Sequence, residues 1–160
     1  MSNPNDGRAA RDQKHVCCRL GSMLVGIPLD RVQEINRLVE PTFVPLMEPY
    51  LRGVINLRGN LVTVLDLGVI VRGEPTSTSP KARTVVVEVG EEICGLCVDE
   101  VGDVVEVAAA DAEALPSHLP AQQRRWFQGM VQLPQQLLLL LDVASIGAIG
   151  ATPGPALGAR

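Results

Sequence analysis

Apolar positions in this chain come in short runs, each cut off by Gly, Pro, Asn or Asp before it reaches helical length. Val16 to Leu20 and Met23 to Ile27 flank Gly21-Ser22 and predict a hairpin that Pro28 ends. Asp30 to Gln33 reads as a short helical or turn segment. Glu34 to Val39 resumes an extended pattern, although Arg37 falls on the face that Ile35 and Val39 share. Pro41, Pro45 and Pro49 then punctuate a loop around Phe43 and Val44, a spacing that forbids helix. Gly53-Val54-Ile55-Asn56 and Leu61 to Asp66 predict two strands around a tight turn at Leu57 to Asn60, with Gly59 in the left-handed position. Leu67 to Val71 then suits one or two helical turns capped by Asp66.

Gly73 to Ala82 is a linker by composition. Thr84 to Val89, Ile93 to Val98 and Val101 to Val107 follow as strands, the first β-branched enough for burial on both faces. Ala108 to Arg125, with Pro116 and Pro120, suits loop and short helical turns. Trp126 to Leu133 and Gln136 to Leu141 predict a last hairpin, and Asp142 a cap for a helix through Ala148. The fold class is therefore all-β, with nine or ten short strands and short helices. Two small β subdomains, each closed to hide its edges and divided near 73–82, account for this pattern better than one open sheet. Residues 1–13 are expected to be a disordered leader and 150–160 a disordered tail, leaving 14–149 as the folded unit.

Composition changes this picture in two ways. Aromatics are scarce, with 1 Trp, 1 Tyr and 2 Phe, so Val, Leu and Ile must build the core. The net charge of −4 argues against binding nucleic acid or acidic membrane through bulk electrostatics. No apolar run resembles a secretory signal or a bilayer span, and a cytoplasmic protein without direct membrane insertion is expected.

Catalytic chemistry is hard to assemble from these residues. Cys17-Cys18 and Cys94-x-x-Cys97 invite a zinc or dithiol reading, yet both lie in predicted strands, where such spacings send sulfurs to opposite faces. Buried apolar cysteines are the expectation. His15, at the edge of the leader, and His118, between prolines, are read as surface histidines. Gly53 and Gly59 lack the Lys-Ser/Thr of a phosphate loop. Asp99, Asp103 and Glu106 fail the spacing of a calcium loop. Arg124-Arg125 is too small a basic patch for nucleic acid. What remains is Arg58, a planar cation with forked donors displayed on a stiff hairpin, and hence a binding module without metal or cofactor.

Several segments together carry a resemblance. They are Val32-Gln33-Glu34-Ile35, Val44-Pro45, Gly53-Val54-Ile55-Asn56-Leu57-Arg58-Gly59 and Val64-Leu65-Asp66-Leu67. Thr84 to Val87, Gly95-Leu96-Cys97-Val98-Asp99-Glu100-Val101, Asp103-Val104, Phe127-Gln128-Gly129 and Leu138 to Asp142 continue it. In this order they resemble the CheW family of chemotaxis coupling proteins, from about Lys14 to Ile149. The resemblance implies two five-stranded, SH3-like β barrels in one unit and no enzymatic activity. It implies two partners: the cytoplasmic tip of methyl-accepting chemoreceptors and the regulatory domain of a CheA-type histidine kinase. It carries a receptor groove over to Val32, Glu34, Gly53, Arg58, Val85, Gly95, Val101, Val104 and Gly129. Those residues would line the groove or support it, with Arg58 and Glu34 as its polar members.

Two features depart from that pattern. The first strand reads Val16-Cys17-Cys18-Arg19-Leu20 where aromatics are usual, and Gly68 stands where an Arg is often found. A member serving gliding or pilus motility is one explanation. A receptor-binding decoy that ignores the kinase, and a cysteine-based zinc or redox sensor, are the alternatives in function.

Overall fold

The computed structural model describes residues 12–38 and 48–151. The loop around Phe43 and Val44 lies outside the described residues, as do the leader through residue 11 and the tail from 152. Among the described residues ten strands and three α-helices follow in order, besides 3-10 turns at Leu29–Arg31 and Ala109–Asp111: β1 (Gln13–Leu20), β2 (Met23–Pro28), β3 (Val32–Arg37), β4 (Leu51–Leu57), β5 (Asn60–Asp66), α1 (Leu67–Arg72), β6 (Arg83–Val89), β7 (Glu92–Val98), β8 (Glu100–Val107), α2 (Ala121–Arg124), β9 (Phe127–Gln132), β10 (Leu137–Leu141) and α3 (Val143–Ala151).

The strands pair into two five-stranded sheets, ordered β8-β1-β2-β10-β9 and β3-β6-β7-β5-β4. The mainly β class and the count of five strands per sheet match the expectation. Closure does not, because each ladder ends in two outer strands and its hydrogen bonding is open. The expected division at 73–82 is also corrected. That segment joins α1 to β6 within the second sheet, because β5 and β7 lie parallel and parallel neighbours need a long crossover. The second sheet is instead a continuous block, β3 to β7, inserted between β2 and β8 of the first.

The two sheets repeat one topology. Each joins an outer strand to a hairpin, sets that hairpin parallel to the second strand of another, and ends on the latter's partner. The repetition reaches single residues. Bulges fall at Leu51/Gly53 in β4 and at Phe127/Gly129 in β9, and Asp66 ends β5 while Asp142 follows the last residue of β10. Asp66 caps α1 by accepting from the Val69 amide at 3.2 Å, and Asp142 caps α3 by accepting from Ser145 at 3.3 Å.

One apolar core serves both sheets. Val16, Leu20 and Ile27 of the first pack with Leu65, Val85 and Leu96 of the second, together with Trp126 and Phe127. Each such aliphatic side chain contributes about 1.5–3 kcal/mol on burial. The helices tie the halves further: α3 leaves the first sheet and packs on β5, β6 and β7 of the second. The two sheets are thus one rigid platform for the surface residues they carry.

Candidate functional site

The β4–β5 hairpin displays its turn as the alternation predicted. Leu57 pairs with Asn60, leaving a two-residue loop of Arg58 and Gly59. Gly59 has φ of 87° and Arg58 of 52°, so both central residues are left-handed, as this tight connection requires. Gly59 adopts that state freely, whereas Arg58 does so at a cost of roughly 1–2 kcal/mol. The Asn56 side chain helps hold the loop by accepting from the Gly59 amide at 3.0 Å.

Arg58 extends from this turn with 79% of its side chain exposed, and its Nη1 lies 3.2 Å from Glu34 Oε2. Glu34 is far more enclosed, on β3 at the opposite end of the sheet's pairing order from β4. The pair therefore brings the two edges of an open ladder together. Exposed apolar side chains lie close by in sequence: Leu61 follows the turn at 76% exposure, and Ile35 follows Glu34 at 39% but on the opposite face of β3.

The remaining predicted site residues separate into two groups. Val32 and Val101 are half-buried against the core, and Val104, on the outer strand β8, is exposed. Gly53, Val85, Gly95 and Gly129 are buried, the first and last of them on the outer strands β4 and β9. Val85 is completely covered, so it shapes the sheet from within. Gly129 is required by close approach: a Cβ there would stand 2.8 Å from the Glu113 carbonyl oxygen. Glu113 bridges to Met130 of β9 at that point.

The cysteines are buried, and all four are free. Burial pushes the Cys18 thiol up to about 12 and those of Cys94 and Cys97 to about 11. A thiol held protonated is a poor metal ligand and a poor nucleophile, so the environment works against the zinc and redox readings. His15 corrects its sequence reading, being buried at 4% exposure on β1; His118 is exposed as expected.

Sequence reasoning missed a polar network under the hairpin. Asp66 accepts from Arg52 Nη1 at 3.1 Å and from the Thr76 amide at 3.0 Å, besides capping α1. Thr76 also donates its hydroxyl within this cluster and is buried, so the low-complexity segment 73–82 is anchored at its centre. Asp99 makes a similar tie, accepting from Gly21 at 2.6 Å and Ser77 at 2.7 Å. The signal for both was an Asp closing an apolar strand, read in the first case only as a helix cap.

Residues 14–148 match the family described as CheW-like domain. Chemotaxis protein CheW of Klebsiella aerogenes is 27% identical over 84% of this chain and 81% of its own length. Chemotaxis protein CheW of Bacillus subtilis is 28% identical over 75% and 77%. Among solved structures, scaffolding protein TtCheW from Thermoanaerobacter tengcongensis superposes with a TM-score of 0.75 at 24% identity, covering 82% of this chain and 84% of that one.

Proposed function

The chain belongs to the CheW-like domain family, and from that membership we propose that it is a non-enzymatic adaptor of chemotaxis-type signalling, joining the cytoplasmic tip of a chemoreceptor to a CheA-type histidine kinase in the cytoplasm. The observation that carries the receptor half is Arg58. It is exposed on a turn whose conformation is unfavourable for it, and an unfavourable backbone state at an exposed residue points to a role in recognition.

Around Arg58, the surface has the parts that a helical partner needs. Leu61 supplies exposed apolar contact beside the turn, and Glu34 and Arg58 supply a charged pair that sets register. In this reading Val32, Val101 and Val104 extend the contact set, and the buried Gly53, Val85, Gly95 and Gly129 are its supporting positions. Two sheets with one shared core let a partner on one flank influence a partner on the other without any chemical step.

The test is direct binding of a receptor-tip fragment to the whole chain and to its Arg58→Glu variant. The wild type should bind, and the variant should lose binding while keeping its circular dichroism spectrum. Equal affinity for the two proteins would remove Arg58 from the receptor site.

A further inference from the structure

Between β7 and β8 the chain passes from one sheet to the other through a single residue. β7 ends at Val98 in the second sheet, β8 begins at Glu100 in the first, and Asp99 stands between them, half-buried. Its amide donates to the Arg19 carbonyl of β1 at 3.0 Å. Its two carboxylate oxygens are divided between the halves. Oδ2 accepts from the Gly21 amide in the β1–β2 turn at 2.6 Å, and Oδ1 accepts from the Ser77 amide in the crossover of the second sheet at 2.7 Å. Carboxylate acceptors make short bonds, stronger than those of neutral groups.

The tie continues toward the Arg58 hairpin. Ser77 follows Thr76, whose amide donates to Asp66, and Asp66 accepts from Arg52 of β4, the strand that leads into Arg58. A contiguous path of hydrogen bonds and one peptide link therefore joins the β1–β2 turn to β4, which is the kind of network that can carry coupling between sites. The turn is also held from its other side. Gly21 has φ of 61°, and a Cβ there would overlap the guanidinium of Arg72, at the end of α1. The absence of a side chain lets the turn sit between Arg72 and Asp99.

The repeated topology provides a comparison inside the molecule. The equivalent passage, from β2 of the first sheet to β3 of the second, runs through Leu29–Arg31. That 3-10 turn has no side-chain cap, and none of its residues is buried. Of the two passages, the one at Asp99 is fastened by side-chain hydrogen bonds among the described residues, and the other is not. The shared apolar core cannot replace this fastening, because the hydrophobic effect is non-directional. It holds the sheets in contact, whereas the bonds at Asp99 are directional and set an angle.

We propose that Asp99 is a positioning residue for coupling: its carboxylate fixes the angle between the two sheets, so that a displacement taken up at the Arg58 hairpin reaches the first sheet. This role rests on the adaptor reading and adds to it the residue that carries the signal between the halves. Asp99 lies outside the contact set proposed for the receptor, so its loss should leave binding in place.

The experiment compares the full chain with its Asp99→Ala and Asp99→Asn variants, alone and reconstituted with receptor and kinase. Alone, backbone residual dipolar couplings are fitted separately for each sheet. The wild-type sheets should share one alignment tensor, and those of Asp99→Ala should need two. In reconstitution, Asp99→Ala should bind the receptor tip and the kinase as the wild type does, while the ratio of kinase activity without and with receptor ligand falls toward one. Asp99→Asn keeps one acceptor oxygen and should fall between the two; it decides by the same readouts if the alanine variant does not fold. One tensor in a folded variant, full receptor control through it, or loss of receptor binding would each overturn the proposal. A wild-type chain that conveys no control would overturn the adaptor reading instead, and the dipolar couplings would still judge the fastening at Asp99.

Discussion

Arg58 Nη1 stands 3.2 Å from Glu34 Oε2, joining the β4–β5 turn to β3 across the whole pairing order of the second sheet. An exposed pair of this kind contributes about 0–1 kcal/mol to folding. Its value to the adaptor is therefore sought in recognition. The exchange Glu34→Arg with Arg58→Glu preserves the pair and reverses its polarity. Each single variant and the double variant should melt close to the wild type, and none should bind the receptor tip. Recovery of binding in the double variant, measured by fluorescence anisotropy, would show that the pair matters only to the fold.

The left-handed backbone at Arg58 gives a second prediction. Asn accepts that conformation more readily than Arg, and Asn-Gly is a favoured pair in such loops. Arg58→Asn should therefore stabilise the chain by up to about 1 kcal/mol in urea denaturation while weakening receptor binding. A variant that loses both stability and binding would contradict the view that the turn trades one for the other.

Much of this was legible in the sequence. Gly21-Ser22 and Leu57 to Asn60 marked hairpins because turns need residues that accept positive φ, and the alternation between them gave the strands. Arg58 and Glu34 were named together and are in contact. What could not be read was pairing between distant segments. No local signal says that β1 and β2 join β8 to β10, so the linker at 73–82 was mistaken for a boundary. His15 was misread for the same reason: it lies beside the leader in sequence, but β8 and β2 cover it in space. Val85 shows the limit of carrying residues over by motif, since a motif does not separate a contact from its support.

Asp66 tests the energetics beneath the hairpin. It is almost fully enclosed and accepts from Arg52, Val69 and Thr76. Asp66→Ala removes the acceptor and strands these donors, and should cost about 3–5 kcal/mol by urea denaturation. A loss below about 1 kcal/mol would mean that water replaces the carboxylate without penalty.

His15 makes stability depend on pH. Burial lowers its pKa from 6.5, so between that value and the folded one the unfolded chain binds a proton that the native chain refuses. This contribution is complete above about pH 6.5 and is lost as pH falls toward the lower folded value. Melting temperatures at about pH 7.5 and 5.5 should therefore differ more for the wild type than for His15→Thr. Equal differences would place the titrating group elsewhere.

The central claim is that this chain physically couples two partners. Reconstitution of receptor, CheA-type kinase and this protein, read out by kinase autophosphorylation, tests it most directly. Receptor ligand should control the kinase only when the wild-type chain is present, and Arg58→Glu should fail to restore control. Receptor control of equal strength without the chain, or with the variant, would contradict the account.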